Sequence, residues 1–117
     1  MLTVKTQKEI TLIMNELVEK SSQIFGGKLK KVVLYGSYAR GDFDEESDID
    51  VLLSVDENKE ELRKYIDNLI DLTSDIGLKY DVLLSPILIS EQEFIKYKHD
   101  LPFYSNALKE GVVFYIV

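Results

Sequence analysis

Two aspartates separated by a single residue open a hydrophobic strand, and a Gly-Ser turn precedes them at a fixed distance. The segment runs from Tyr35 to Val51, YGSYARGDFDEESDIDV, with ten residues between Ser37 and Asp48. Residues from Asp48 to Val55 read as a strand, because apolar residues alternate with others along it. Ile49, Val51, Leu53 and Val55 fall on one face, and Asp48, Asp50, Leu52 and Ser54 on the other. The two carboxylates therefore point the same way. Two ionised carboxylates held close together repel, and partial burial would force one of them neutral. A divalent cation removes that penalty. Mg²⁺ takes one or two carboxylates and keeps water and substrate phosphates as its other ligands.

The turn in front supplies a second half to such a site. Lys31 to Tyr35, around Val32, Val33 and Leu34, reads as a short buried strand that Gly36-Ser37 breaks. Gly36 allows backbone to approach a ligand where a Cβ would obstruct. Amides of a tight turn can cradle phosphate, and the Ser37 hydroxyl adds a donor. Arg40 is placed to pair with phosphate oxygens or with an acidic partner. Asp81 begins the run Asp-Val-Leu-Leu, read as part of a third strand from Tyr80 to Leu84 that Ser85-Pro86 ends. Were that strand a neighbour of the first pair, three carboxylates would share a sheet face. That arrangement suits two metal ions and in-line phosphoryl transfer.

Around these strands the pattern is α-β-β-α-β-α-(β). Residues 5–25 carry a helical apolar stripe ended by Gly26-Gly27. Asn58 and Glu61 have the form of a capping box that starts a helix closed by Gly77. Ser90 with Glu93 starts a short helix to about Tyr97, and Pro102 fits the first turn of a last one, ended by Gly111. Val112 to Val117 is a terminal strand or a partner-facing tail. The 117 residues fit one domain, residues 1–117. The fold class expected is α/β (α+β), a small mixed sheet flanked by helices.

Composition narrows the function. A net charge of −7 disfavours a general polynucleotide binder, which needs cationic side chains. No cysteine is present, so thiolate metal sites and thiol nucleophiles are out. No apolar run approaches the ~18 residues of a membrane span, and no signal segment is visible. A cytoplasmic protein is expected. His99 reads as a helix-end surface residue, and Asp42, Asp44, Glu45 and Glu46 as a solvated loop. Lys28, Lys30 and Lys31 read as a soluble strand flank. Tyr35 and Tyr38, on either side of the turn, are candidates to touch a nucleotide.

The spacing Gly-Ser, ten residues, Asp-x-Asp resembles the signature of the DNA polymerase β-like nucleotidyltransferase superfamily. The fuller match, GSYARG at Gly36 to Gly41 and SDIDV at Ser47 to Val51, resembles its minimal (MNT) branch, which includes the MntA-type antitoxins of HEPN/MNT toxin–antitoxin pairs. The likeness covers nearly the whole chain. It implies that Gly36 and Ser37 bind the triphosphate, that Asp48 and Asp50 bind two Mg²⁺, and that Asp81 completes one metal site and helps deprotonate the acceptor. For the antitoxin branch it implies transfer of AMP from ATP to a tyrosine of a HEPN toxin. A toxin-masking protein of the same fold that does no chemistry is the competing expectation. A small-molecule nucleotidyltransferase of the aminoglycoside type is a third, although no acceptor domain is evident here. The small size favours a protein acceptor, and Phe103, Tyr104, Phe114 and Tyr115 mark an expected interface.

Overall fold

The computed structural model describes residues 5–44, 47–97 and 100–117. Glu45, Glu46 and His99, on which expectations were placed above, lie outside the described residues.

Helix α1 (Gln7–Phe25) begins with a reciprocal cap. Thr6 Oγ1 accepts from the Glu9 amide, and the Glu9 carboxylate accepts from the Thr6 amide. Strand β1 (Leu29–Tyr35) follows and leads into the single turn α2 (Ser37–Arg40). Strand β2 is Ile49–Val55. Asn58 Oδ1 accepts from the Glu61 amide and starts α3 (Lys59–Leu62), which a 3₁₀ turn joins to α4 (Ile66–Tyr80). Then come β3 (Leu84–Ser90), α5 (Glu91–Tyr97), α6 (Pro102–Glu110) and β4 (Val112–Ile116).

The four strands form one mixed sheet in the order β3-β2-β1-β4. β1 is antiparallel to β2 and to β4, and β2 is parallel to β3. The parallel pair is connected through the α3–α4 crossover, as a parallel pair requires. The terminal segment is thus a strand of the sheet.

Alternation along the strands sends side chains to two cores. Ile13, Met14 and Leu17 of α1 and Leu69 and Ile76 of α4 bury Val32, Leu34, Ile49, Val51 and Leu53 on one face. On the other face, Val33, Leu52 and Ile89 meet Phe94 of α5 and Ala107 of α6 in a smaller core. The helices on that second face are short, and they leave the start of β2 uncovered enough for Asp48 and Asp50 to be only partly buried.

Two boundaries differ from the expectation. Gly77 does not close α4. The helix continues to Tyr80 and is capped by Asp81 in the left-handed region, at φ 54° and ψ 58°. The third strand begins only at Leu84 and runs through Pro86 to Ser90. Tyr80 and Asp81 therefore belong to the helix end, not to a strand. Pro86 is tolerated because β3 is at the sheet edge, where a missing N–H costs no ladder bond on the open side.

Candidate active site

The site is built on the second sheet face, where β1 ends and β2 begins. Tyr35 and Asp50 are register partners across these strands. At Gly36 the chain turns with φ +75° and ψ −155°, and α2 starts. The Asp50 carboxylate fills the space beside this glycine. A Cβ built on Gly36 would overlap Asp50 Oδ2 and lie 3.0 Å from its Cγ. Ser37 opens α2 and Arg40 ends it. The Ala39 and Arg40 amides donate to the Gly36 carbonyl at 3.1 and 3.0 Å, and the Ser37 and Tyr38 amides are the first-turn donors left over for an incoming acceptor group. The structure thus brings Gly36, Ser37, Arg40 and Asp50 to one corner.

Asp48 lies just before β2. Its Oδ2 accepts from Ser85 Oγ at 3.0 Å. Burial holds the Asp50 carboxyl above the ordinary carboxylate range, the charge of Asp48 pushes it the same way, and Arg40 partly offsets both. That electrostatic cost is the one a divalent cation would relieve, and a half-buried carboxylate pair fits Mg²⁺ in donor type. The Tyr35 hydroxyl is pushed up to about 12 by burial, with a smaller push from Asp50. It stays protonated at neutral pH.

Arg40 sits at the site's rim with its Nε 3.3 Å from Asp42 and its guanidinium 3.8 Å from Glu110 of α6. A cavity of about 230 Å³ opens beside Gly36, walled by Tyr35, Arg40, Phe103, Asn106 and Glu110. The ring of Phe103 meets that of Tyr35 edge to face, with centroids 5.7 Å apart. A larger cavity of about 350 Å³, lined by Lys5, Ile10, Tyr38, Phe43 and Phe114, contains neither aspartate and belongs to the α1 side.

Asp81 does not join the pair. It is exposed at the end of α4, beside Thr73, Ser74 and Gly77. Among the described residues, no group of three or more Asp, Glu, His or Cys side chains could hold a metal ion. The inferred strand pairing that placed Asp81 beside Asp50 fails because the real strand starts three residues later. Ser85, read from sequence only as the end of a strand, is the β3 residue paired with Asp50. The apolar run from Val82 to Ile89 was the available signal for a longer strand, and Ser85-Pro86 concealed it.

Tyr38 is also displaced from the expected role. It is buried on the α1 side, stacked on Phe43 at 4.4 Å and 7°. Lys31 is no surface flank. It is buried and pairs with Glu91 through both carboxylate oxygens at 2.6 Å, while Ser54 Oγ donates to Glu91 at 2.8 Å. Of the aromatics expected at an interface, Phe103 and Tyr104 pack against Tyr35 and Phe94, and Phe114 and Tyr115 lean on the larger core. Phe103 itself stays exposed, as do Leu101, Val112, Val113, Ile116 and Val117 nearby. No helix among the described residues is long and apolar enough to cross a membrane.

The family model for a nucleotidyltransferase domain matches residues 14–114. The protein named Putative protein adenylyltransferase MJ0604, from Methanocaldococcus jannaschii, is 41% identical over 109 residues, covering 93% of this chain and 97% of that protein. A toxin–antitoxin complex solved with AMP-PNP contains a similarly folded chain, with a TM-score of 0.56, 16% identity, and coverage of 89% of this chain and 73% of the other. The complex of a tri-AMPylated Shewanella oneidensis HEPN toxin with its MNT antitoxin contains another, with a TM-score of 0.50, 15% identity, and coverage of 91% and 71%. At such identities these two structures show a shared fold.

Proposed function

From the premise that this chain belongs to the nucleotidyltransferase domain family, we propose that it transfers AMP from ATP to a tyrosine hydroxyl of a HEPN-domain toxin and so acts as the antitoxin of a pair. The observation that carries the chemistry is the contact of Asp50 with Gly36, which sets a carboxylate against the glycine turn that opens α2. The relative named a protein adenylyltransferase and the AMPylated HEPN complex support the acceptor class.

In this reading the Ser37 and Tyr38 amides and the Ser37 hydroxyl hold triphosphate oxygens. Arg40, already facing two carboxylates at the rim, exchanges one of them for phosphate. Asp48 and Asp50 would hold Mg²⁺, which would supply charge neutralisation at the phosphates. The acceptor oxygen forms a bond to the α-phosphorus as the bond to the bridging oxygen breaks; the hydroxyl proton passes to solvent and pyrophosphate leaves. The cavity between Tyr35, Phe103 and Asn106 offers aromatic and amide surface for the base. A partner that brings its own hydroxyl needs little surface from this chain, because positioning is most of what the reaction demands.

The test is mass spectrometry of a HEPN protein co-purified with this chain after incubation with Mg²⁺ and ATP. A gain of one or more AMP units, absent with Asp48→Asn/Asp50→Asn, is expected. Protection from the toxin that survives the double substitution, with no mass gain, would instead establish neutralisation by binding.

A further inference from the structure

On the site face, Tyr35, Asp50 and Ser85 follow one another across β1, β2 and β3 as register partners. Ser85 thus stands in the row where a neighbouring strand would present a third carboxylate to the pair. Its Oγ lies 3.0 Å from Asp48 Oδ2 and donates to it. Asp48 precedes the strand, so the ladder does not fix its side chain. The chain entering β3 holds this end of β2 twice, through the Ile49 amide bonded to the Leu83 carbonyl at 2.8 Å and through the Ser85 hydroxyl of β3 bonded to Asp48. Asp81, four residues upstream, is turned out of the row by the left-handed cap of α4, and it is exposed.

We infer that Ser85, rather than Asp81, completes the metal centre: it is a positioning residue that aims the Asp48 carboxylate and leaves the centre with two protein charges instead of three. This rests on reading the site as a nucleotidyltransferase centre. A hydroxyl orients without adding charge. Two carboxylates balance one divalent cation, and a second cation needs the nucleotide's phosphates for balance. Metal binding by the chain alone is therefore weak and is tightened by nucleotide.

Mn²⁺ serves as the probe, followed by the electron paramagnetic resonance of the free ion, with and without AMP-PNP. The full chain is compared with Ser85→Ala, Ser85→Thr, Ser85→Asp, Asp81→Asn and Asp48→Asn/Asp50→Asn, each checked for fold by circular dichroism. AMP-PNP is expected to tighten binding at least about tenfold. Ser85→Ala should weaken it about tenfold, in the range seen when a group orienting a metal ligand is removed. Ser85→Thr, which keeps the hydroxyl, should restore it. Ser85→Asp should tighten nucleotide-free binding, and Asp81→Asn should leave both values unchanged. Loss of binding in Asp81→Asn with an unaffected Ser85→Ala would overturn the inference. Unchanged binding in the Asp48/Asp50 double variant would sink the underlying site reading instead.

Discussion

The carboxylate of Asp50 occupies the space that any side chain on Gly36 would need: a Cβ there would overlap Oδ2 and come within 3.0 Å of Cγ. Two residues fourteen apart in sequence thereby set each other's position. The glycine also carries φ +75° and ψ −155°, a region essentially confined to glycine that costs another residue on the order of 1–3 kcal/mol. Gly36→Ala must move the aspartate, the turn, or both. Nucleotidyl transfer should fall on the order of 10²-fold or more, the scale of an ångström's misplacement at a reacting centre. The measurement is single-turnover transfer to the acceptor, and wild-type rates in Gly36→Ala would refute the linkage.

Asp50 should work against the fold at neutral pH. Its carboxyl titrates above the ordinary value because of burial and the nearby Asp48 charge. The folded state therefore favours the protonated form. Its contribution is most favourable below the unfolded pKa, is lost as pH rises through the folded value, and is unfavourable beyond it. Asp50→Asn should raise the melting temperature at neutral pH by a few degrees without divalent cations, while abolishing transfer. The gain should vanish in acid, below the unfolded value. Differential scanning calorimetry at several pH values decides this, and a destabilised Asp50→Asn at neutral pH would contradict it.

Arg40 should set the acid limb of activity. Its charge is what lowers the proton affinity of Asp50 against two larger raising effects. Arg40→Gln should shift the acid limb of the kcat/KM profile to higher pH and raise the KM for ATP. Since Arg40 is exposed and its pairs are surface pairs, stability should change by less than about 1 kcal/mol. A profile that keeps its position would remove Arg40 from the site.

The second core contains its own charged pair. Lys31 and Glu91 are each 9% exposed, Ser54 donates to the same carboxylate, and the Lys31 ammonium lies 4.6 Å from the centroid of the Phe94 ring. Glu91→Gln leaves a buried ammonium short of its counterion and should cost about 3–5 kcal/mol. Lys31→Met/Glu91→Leu should cost much less than either single change, because no charge is stranded. Urea denaturation of Glu91→Gln, Lys31→Met, Glu91→Leu and the double variant measures both. Equal losses in single and double variants would show that the pair contributes only packing.

Much of this could be read in advance where one residue type has one reason to be there. Gly36, Ser37, Asp48 and Asp50 come together as expected, because a strand's alternation and a turn's need for glycine are local rules. The α4–β3 junction was not legible. Gly77 reads as a helix stop, yet the helix runs on for three residues, and Asp81 takes the left-handed cap that a glycine usually takes. Ser85-Pro86 reads as a strand end, yet proline is accepted at an edge that only the finished sheet defines. The pairing of Lys31 with Glu91 joins residues sixty apart, and no local pattern announces it. Tyr38 went to the opposite face because α2 is one helical turn, which redirects its neighbours in a way a loop reading does not anticipate.

The placement of β4 beside β1 has a consequence in time. Every motif residue and three of the four strands are synthesised before α6 and β4. Until Val112 to Ile116 arrive, β1 is paired with β2 alone, and its other edge stays open to any strand that meets it. Residues 102–110 of α6, which wall the site beside Tyr35, also come late. A growing chain thus holds the aspartates and the turn well before it holds the wall that shapes their cavity, and competence arrives only with the final strand.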